Sequence, residues 1–476
     1  MSIGWRFDNT YSKLPKSFIS NTSPTRVKNP ELIILNDSLA EDIGLNFSSL
    51  DKKKLSELFS GNLLPEGSKT ISQAYAGHQF GHFTMLGDGR AVLIGEHISK
   101  NNERFDIQFK GSGKTPFSRN GDGRAFLGAM LREYIISEAM NALNIPTTRS
   151  LAVVKSGENV VRESTLQGAI LTRIASSHLR VGTFQYIAAR QNEGELKILL
   201  DYTIDRHYPN IKQSKNKALD LLKVLMEKQI NLVVNWMRVG FIHGVMNTDN
   251  MSISGETIDY GPCAFMDVYD PQTVFSSIDQ LGRYAYFNQP SITKWNLARL
   301  AECLIPLIDE NKDKAIEIAT KTINTFEIDY EIKWLNMMRD KLGLFGEDSK
   351  DQVLILDLLT WMHQYKADYT NTFCFLMNEK IQDNKIYTND DFFVWKKRWE
   401  QRLKLNKNTS EKYLKLMRST NPLVVPRNHK VEEALEAANN GNITPMKNLI
   451  KILEKPYTNH NNISQYQFYN SSKGEK

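Results

Sequence analysis

The stretch FIHGVMNTDNMSISGETIDYGP, residues 241–262, gathers His243-Gly244, Asp249-Asn250 and Asp259-Tyr260-Gly261 into one short run. Asparagine and aspartate oxygens are the ligands a hard divalent cation takes when water and phosphate fill the rest of its shell. The same residue types are common in turns, so D-Y-G alone would say little. Here the motifs follow NKALDLLKVLMEKQINLVVNWMRVG, residues 216–240, whose apolar positions recur at helical spacing. A long helix, a His-Gly turn and two spaced metal-type oxygens form an ordered set.

That set has the layout of a protein-kinase-like catalytic loop, H-G-D-x-x-x-x-N, followed by a strand ending in D-[FYW]-G. Asn250 and Asp259 occupy the two metal-ligand positions, while Val245 stands where the catalytic aspartate belongs. The chain keeps the metal pair and lacks the base.

Upstream the texture is β-rich. RAVLIGEHI (90–98) and RFDIQFKG (104–111) flank the polar SKNNE, a strand-pair signal. LGAMLREYIISEAMNAL (127–143) reads as an amphipathic helix, and TRSLAVVKSG and GAILTRIA return to strand character. Lys110, closing the second strand, has the position of a phosphate-pairing lysine, and Glu133 in the helix is its natural partner. Glu138, further along that helix, is a rival.

Two glycine-rich stretches flank Lys110: LGDGRA (86–91) and KGSGKTPFSRNGDGRAF (110–126). Glycines let backbone N–H groups approach phosphates. GSGKT is not a P-loop, because Gln108 stands where its first glycine is required and Pro116 blocks a following helix. Arg173 and Arg180, in LTRIASSHLRVG, are either phosphate ligands or ordinary ion-pair residues. His78 and His82 have metal-ligand spacing, but Gly77 and Gly81 argue against the helix that would align them.

Helices dominate beyond residue 215. VLILDLLTWMHQYKADYTNTFCFLM (353–377) reads as a helix, MSISGETIDYG as a strand-like insert, and the polar tail 457–476 as mobile. The expected fold is α+β, protein-kinase-like and bilobal. Its divisions are an extension (1–65), a β-rich N-lobe (66–185), a helical C-lobe (186–400) and a C-terminal helical extension with tail (401–476).

In 476 residues, 60 Lys+Arg oppose 54 Asp+Glu for a net +6, and the two signs are mixed along the chain. That mixing speaks against nucleic-acid binding. No apolar run reaches the roughly 18–20 residues of a membrane helix. Three widely spaced cysteines and no signal-peptide core at MSIGWRFDNTYSKLP suit the cytoplasm.

Seven blocks, in order, carry a family resemblance: QAYAGHQFGHFTMLGDGRA, FKGSGKTPFSRNGDGRA, LREYIISEAM, TRIASSHLRVGTF, HGVMNTDNMSISGETIDYGP, LGRYAYFNQPSITKWNLARLAECL and NPLVVPRNH. The chain resembles the selenoprotein O family of pseudokinases, which bind ATP in a flipped orientation and move AMP onto protein hydroxyls. The resemblance implies nucleotide contacts from Gly87, Gly89, Arg90, Lys110, Asp122, Gly123, Arg173 and Arg180. It implies Glu133 as the partner of Lys110, Asn250 and Asp259 as ligands of Mg²⁺ or Mn²⁺, and Asp249 as proton acceptor. ATP, or UTP, would be the donor, and Ser, Thr or Tyr side chains of proteins the acceptors, with the enzyme a monomer. A flipped nucleotide leaves a carboxylate at Val245 without a task. The rival readings are a phosphotransferase with a relocated base and a nucleotide-binding scaffold without turnover. Many family members end in a redox-active cysteine or selenocysteine. The end of this chain, NSSKGEK, has none, so activity is expected to be indifferent to reductant.

Overall fold

The computed structural model describes residues 3–381, 385–405, 409–459 and 463–468. In chain order its strands are β1 (Ile19–Asn21), β2 (Glu31–Leu35), β3 (Ile71–Gln73), β4 (Ala76–Gln79), β5 (His82–Met85) and β6 (Ala91–Ile98). They continue as β7 (Arg104–Lys110), β8 (Ala125–Phe126), β9 (Arg149–Val161), β10 (Thr165–Ala175), β11 (Phe241–Ile242) and β12 (Ala264–Phe265).

The runs flanking SKNNE are β6 and β7, an antiparallel pair in which Ala91 faces Lys110. They sit centrally in a sheet ordered β1-β3-β6-β7-β10-β9-β2, with β8 added to β10. Alternation, with both faces covered, explains why β6 is buried almost throughout. Val92 and Ile94 enter a cluster with Leu39, Leu58 and Phe59, from helices α1 (Asp37–Asp42) and α2 (Lys52–Ser60). Leu93 points the other way, into the core shared with Met130 and Ile135 of α3 (Leu127–Ala142). The N-terminal residues thus provide both edge strands and one covering layer.

Beyond β10 the chain builds α4 (Val181–Ala189), α5 (Glu193–His207), α6 (Lys217–Val239) and α7 (Gln289–Ile308). Asn216 caps α6 by accepting from the Leu219 N–H, and Gly240, at φ 71°, ends it in the left-handed region. That turn sends the chain directly into β11 and His243. The buried Gln289 side chain then fixes this stretch, accepting from His243 N–H and donating to the Phe241 carbonyl, both at 2.9 Å. A β-sheet lobe and a helical lobe therefore meet at the His-Gly loop.

Three sequence expectations need correction. The apolar run 353–377 is two helices, Asp351–Gln364 and Tyr369–Leu376, broken by Lys366 at φ 53° and restarted by Asp368, which accepts from Asn371 N–H. The insert 251–261 is not a strand. Ser252 bridges to Arg180 and Thr257 to Thr147, so Asn250 and Asp259 are tied to other elements, not paired in a hairpin. Its serines and Glu256 bond Ser176 and one another, which absorbs the polarity that breaks the strand. Within the tail, Ser464–Gln467 is a short helix whose buried Gln467 donates to the Leu423 carbonyl at 2.9 Å; residues 469–476, with the NSSKGEK end, lie outside the described residues.

Arg427, 1% exposed, locks these pieces together. It donates to Asp267 at 2.6 Å, to Asp368 at 2.7 and 2.9 Å, and to the Gln467 carbonyl at 3.2 Å. Removing one partner of a buried pair strands the others' charge. Arg427→Ala is expected to lower the unfolding free energy by about 3–5 kcal/mol in urea titrations; a loss below about 1 kcal/mol would show the cluster to be energetically idle.

Candidate active site

Lys110 ends β7 with its side chain buried, and its Nζ donates to Glu133 Oε2 of α3 at 2.5 Å and to Asp259 Oδ1. Arg173, from β10, donates to the other Glu133 oxygen at 3.3 Å and to Gln108 Oε1 at 2.6 Å, and lies 3.8 Å from Asp259 Oδ1. Two cations and two carboxylates thus share one buried spot. Burial opposes the Asp259 carboxylate, but Lys110, Arg90 and Arg173 hold it well below the usual carboxylate range. Glu138 points elsewhere, to Arg149 at 2.6 and 2.9 Å and Asn36 at 2.8 Å. Of the two helix carboxylates, Glu133 is the one at the site.

Asp259 has φ 68°, a left-handed conformation that aspartate tolerates better than most residues. His243 holds the segment before it, with Nε2 3.0 Å from the Ile258 carbonyl. Asn250 donates its amide to the Val245 carbonyl at 3.0 Å. The backbone at Val245 therefore positions Asn250, although its side chain carries no chemistry. The Asn250 and Asp259 side chains both line the cleft, and their hard oxygens suit Mg²⁺ or Mn²⁺. No group of three or more His, Cys, Asp or Glu suited to a metal occurs among the described residues. A site here would be completed by phosphate and water. His78 instead bonds Gln185 at 2.8 Å.

Asp249 is 8% exposed, and its Oδ1 is buried without a hydrogen-bond partner among the described residues. Burial pushes its carboxyl up to about 6, opposed by the Arg180 charge. Arg180 donates to the Asp249 carbonyl at 3.0 Å, lies 4.3 Å over the Tyr75 ring, and has an Nη2 without a hydrogen-bond partner, 3.9 Å from Asp88 Oδ1. A carboxylate beside buried, under-satisfied guanidinium groups suits a polyanionic ligand with a proton to give up nearby.

The two glycine stretches fold together over this floor. The Thr115 hydroxyl donates to the Asp88 carbonyl at 2.7 Å, and that of Ser118 to the Gly89 carbonyl. Gly87 admits no side chain, since a Cβ would lie 2.4 Å from the Phe117 ring, and one at Gly123 would lie 2.0 Å from the Gly113 carbonyl oxygen. The cleft is about 660 Å³, in the range of small-molecule sites. Gly87, Gly89, Arg90, Lys110, Asp122, Gly123, Arg173, Arg180, Asp249, Asn250 and Asp259 all line it. Glu133 lies behind Lys110. Asp122 sits at the rim, bonded twice to Arg162 at 2.9 Å, which lowers its pKa. Sequence reasoning missed Tyr75, Arg119 and Arg162, which also line the cleft. Arg162 lies in a strand connection with no motif around it.

Glu133→Gln leaves Lys110 poorly aimed and strands buried positive charge, so nucleotide affinity and the thermal midpoint should both fall. Glu138→Gln should lower the midpoint with nucleotide affinity kept, because it breaks the Arg149 pair instead; calorimetry with titrated nucleotide separates the two.

A family model described as Protein adenylyltransferase SelO matches residues 2–454. A relative from Pelagibacter ubique (strain HTCC1062), named Protein nucleotidyltransferase YdiU, is 70% identical over 97% of this chain and 95% of its own length. Relatives of the same name from Nitrosococcus oceani and Halalkalibacterium halodurans are each 56% identical, over 98% and 96% of this chain and 94% and 93% of theirs. With motifs, cleft and full-length similarity in agreement, the chain belongs to the SelO family of protein adenylyltransferases.

Proposed function

We propose that the chain transfers AMP from ATP to Ser, Thr or Tyr hydroxyls of proteins in a Mg²⁺- or Mn²⁺-dependent reaction, with UTP as an alternative donor. The observation that carries this reading is the buried Asp249 carboxylate in the same cleft as an intact Lys110–Glu133–Asp259 set, with valine at the kinase base position. The acceptor oxygen would form a bond to the α-phosphorus as the bond from that phosphorus to its bridging oxygen breaks. Asp249 would take the hydroxyl proton, and pyrophosphate would leave. Lys110, Arg173 and Arg180 would hold the departing end, while Arg90 and the clamped glycine stretches fix the rest of the triphosphate. Asn250 and Asp259 would hold the cation, which supplies charge neutralisation at the phosphate oxygens when bound. We place the reaction in the cytoplasm, with the enzyme acting as a monomer. Cys263, Cys303 and Cys374 are free and buried, and no helix among the described residues is long and apolar enough to cross a membrane.

Protein given ATP labelled at the α position should acquire label, and protein given γ-labelled ATP should not; labelling from γ alone would overturn the assignment. Val245→Asp should not create phosphotransfer. Lys110→Ala should cost at least about 10²–10³-fold in turnover, the loss typical of one preorganised donor. Asp259→Ala should abolish transfer and weaken metal-dependent nucleotide binding, and wild-type-like turnover would remove it from the site.

Dithiothreitol should leave activity unchanged. Burial pushes the Cys263 thiol up to about 11 and those of Cys303 and Cys374 to about 12, so none is a ready thiolate. Several-fold activation by reductant would reveal a missed disulfide.

A further inference from the structure

Between Tyr75 and Gly87 the chain leaves the main sheet and forms a separate two-stranded hairpin, β4–β5. Its turn residues Phe80 and Gly81 have φ of 50° and 91°, the paired positive values of a two-residue type I′ connection. Gln79 faces His82 and Gly77 faces Thr84 as hydrogen-bonded pairs, and Leu86 N–H donating to the Tyr75 carbonyl continues the ladder. The main-chain groups of Phe83 and Met85 must then point away from β4. Among the described residues β5 pairs with β4 alone, so this outer edge is open.

The outer edge of β4 is not open. His78 N–H donates to Thr248 Oγ1 at 2.7 Å and Phe80 N–H to Asn247 Oδ1 at 3.0 Å, which bolts the hairpin to the loop carrying Asp249. The contact is so close that a Cβ on Gly77 would lie 2.1 Å from Asp249 Oδ1. Tyr75, Gln79, Leu86 and Gly87, at the hairpin's ends, line the nucleotide cleft. Phe83 and Met85, on one face, are each 45% exposed. Proteins usually blunt a free edge with charge or proline. β5, with the sequence HFTM, carries neither.

We infer that the outer edge of β5 takes up an extended segment of the protein substrate as a third strand, which delivers its hydroxyl to Asp249; the inference rests on the protein-directed transfer proposed above. Main-chain hydrogen bonds supply affinity in such strand addition, and side-chain contacts supply preference. The exposed Phe83 and Met85 favour apolar residues at alternate positions of the segment. From Met85 to Gly87, at the cleft, is two residues, about 7 Å of extended chain. The modified residue therefore lies close to the cleft end of the paired stretch.

The test uses a synthetic peptide with one serine flanked on both sides by alternating valine and lysine, and the same peptide N-methylated at alternate valines. With α-labelled ATP, wild-type enzyme should show a KM about tenfold higher for the methylated peptide at similar kcat, as expected for losing edge hydrogen bonds. Phe83→Pro removes one outward donor and the ring without touching the β4 ladder. It should raise KM for the unmodified peptide by a similar factor, discriminate less against methylation, and leave nucleotide affinity unchanged. Phe83→Ala should raise KM less and keep the discrimination. Equal KM for the two peptides on wild-type enzyme would overturn the inference whether or not the proline variant folds. So would labelling of folded proteins but no peptide, or a wild-type dimer that Phe83→Pro dissociates, which would assign the edge to a second copy. Bound nucleotide with no α-label transfer to any protein or peptide would instead overturn the proposed function.

Discussion

Lys110, Glu133, Arg173 and Asp259 come from four separate elements and meet at one point, the first three buried and Asp259 partly exposed to the cleft. None of the three buried charges could be buried alone without a penalty of several kcal/mol, so the set must be placed together or not at all. That requirement fixes α3 against the sheet, β10 beside β7, and the Asp259 loop against both. The position of the helical lobe follows, because the same loop runs from α6 through β11 to β12. The set balances two positive against two negative groups, and arriving phosphates would compete with Asp259 for Lys110 and Arg173. A cation on Asp259 would offset that competition, which is a physical reason for metal and nucleotide to bind together.

In the proposed reaction the site differs from a kinase in where its proton acceptor stands. At Val245 the chain uses only backbone, the carbonyl that holds Asn250. The carboxylate stands immediately before Asn250 instead, in a buried corner of the cleft walled by Gly77 of the hairpin and by the Arg180–Tyr75 stack. Asp249, the proposed base, is therefore positioned by an element that lies outside the main sheet. A hairpin that both shapes Asp249 and presents an open edge would couple arrival of a substrate to the reacting group.

Much of this was legible in the residues, and for identifiable reasons. The Lys110 strand, the α3 helix and the long helix before His243 are strongly periodic, so β6, β7, α3 and α6 follow from pattern alone. The choice of Glu133 over Glu138 did not. Both lie on one helix, and Arg149 and Asn36, which claim Glu138, are distant in sequence. The break at residues 365–368 was hidden because apolar periodicity runs through it; what ends the helix is Lys366 in a left-handed conformation and Asp368, whose buried charge is met by Arg427. The insert 251–261 misled because its alternation is real, yet its partners are Arg180 and Thr147, not a neighbouring strand. Arg162 and Arg119 reach the cleft through the folding of loops, which no local motif encodes.

The central claim is that the triphosphate lies with its α-phosphorus, not its γ-phosphorus, at the reacting carboxylate. A crystal structure of the protein with Mn²⁺ and an ATP analogue whose α,β-bridging oxygen is replaced by a methylene tests it most directly. The expected result is a cation on Asn250 and Asp259, the terminal phosphates on Lys110, Arg173 and Arg180, and the α-phosphorus nearest Asp249. A γ-phosphate beside Val245, with the α-phosphate buried against Lys110, would contradict it.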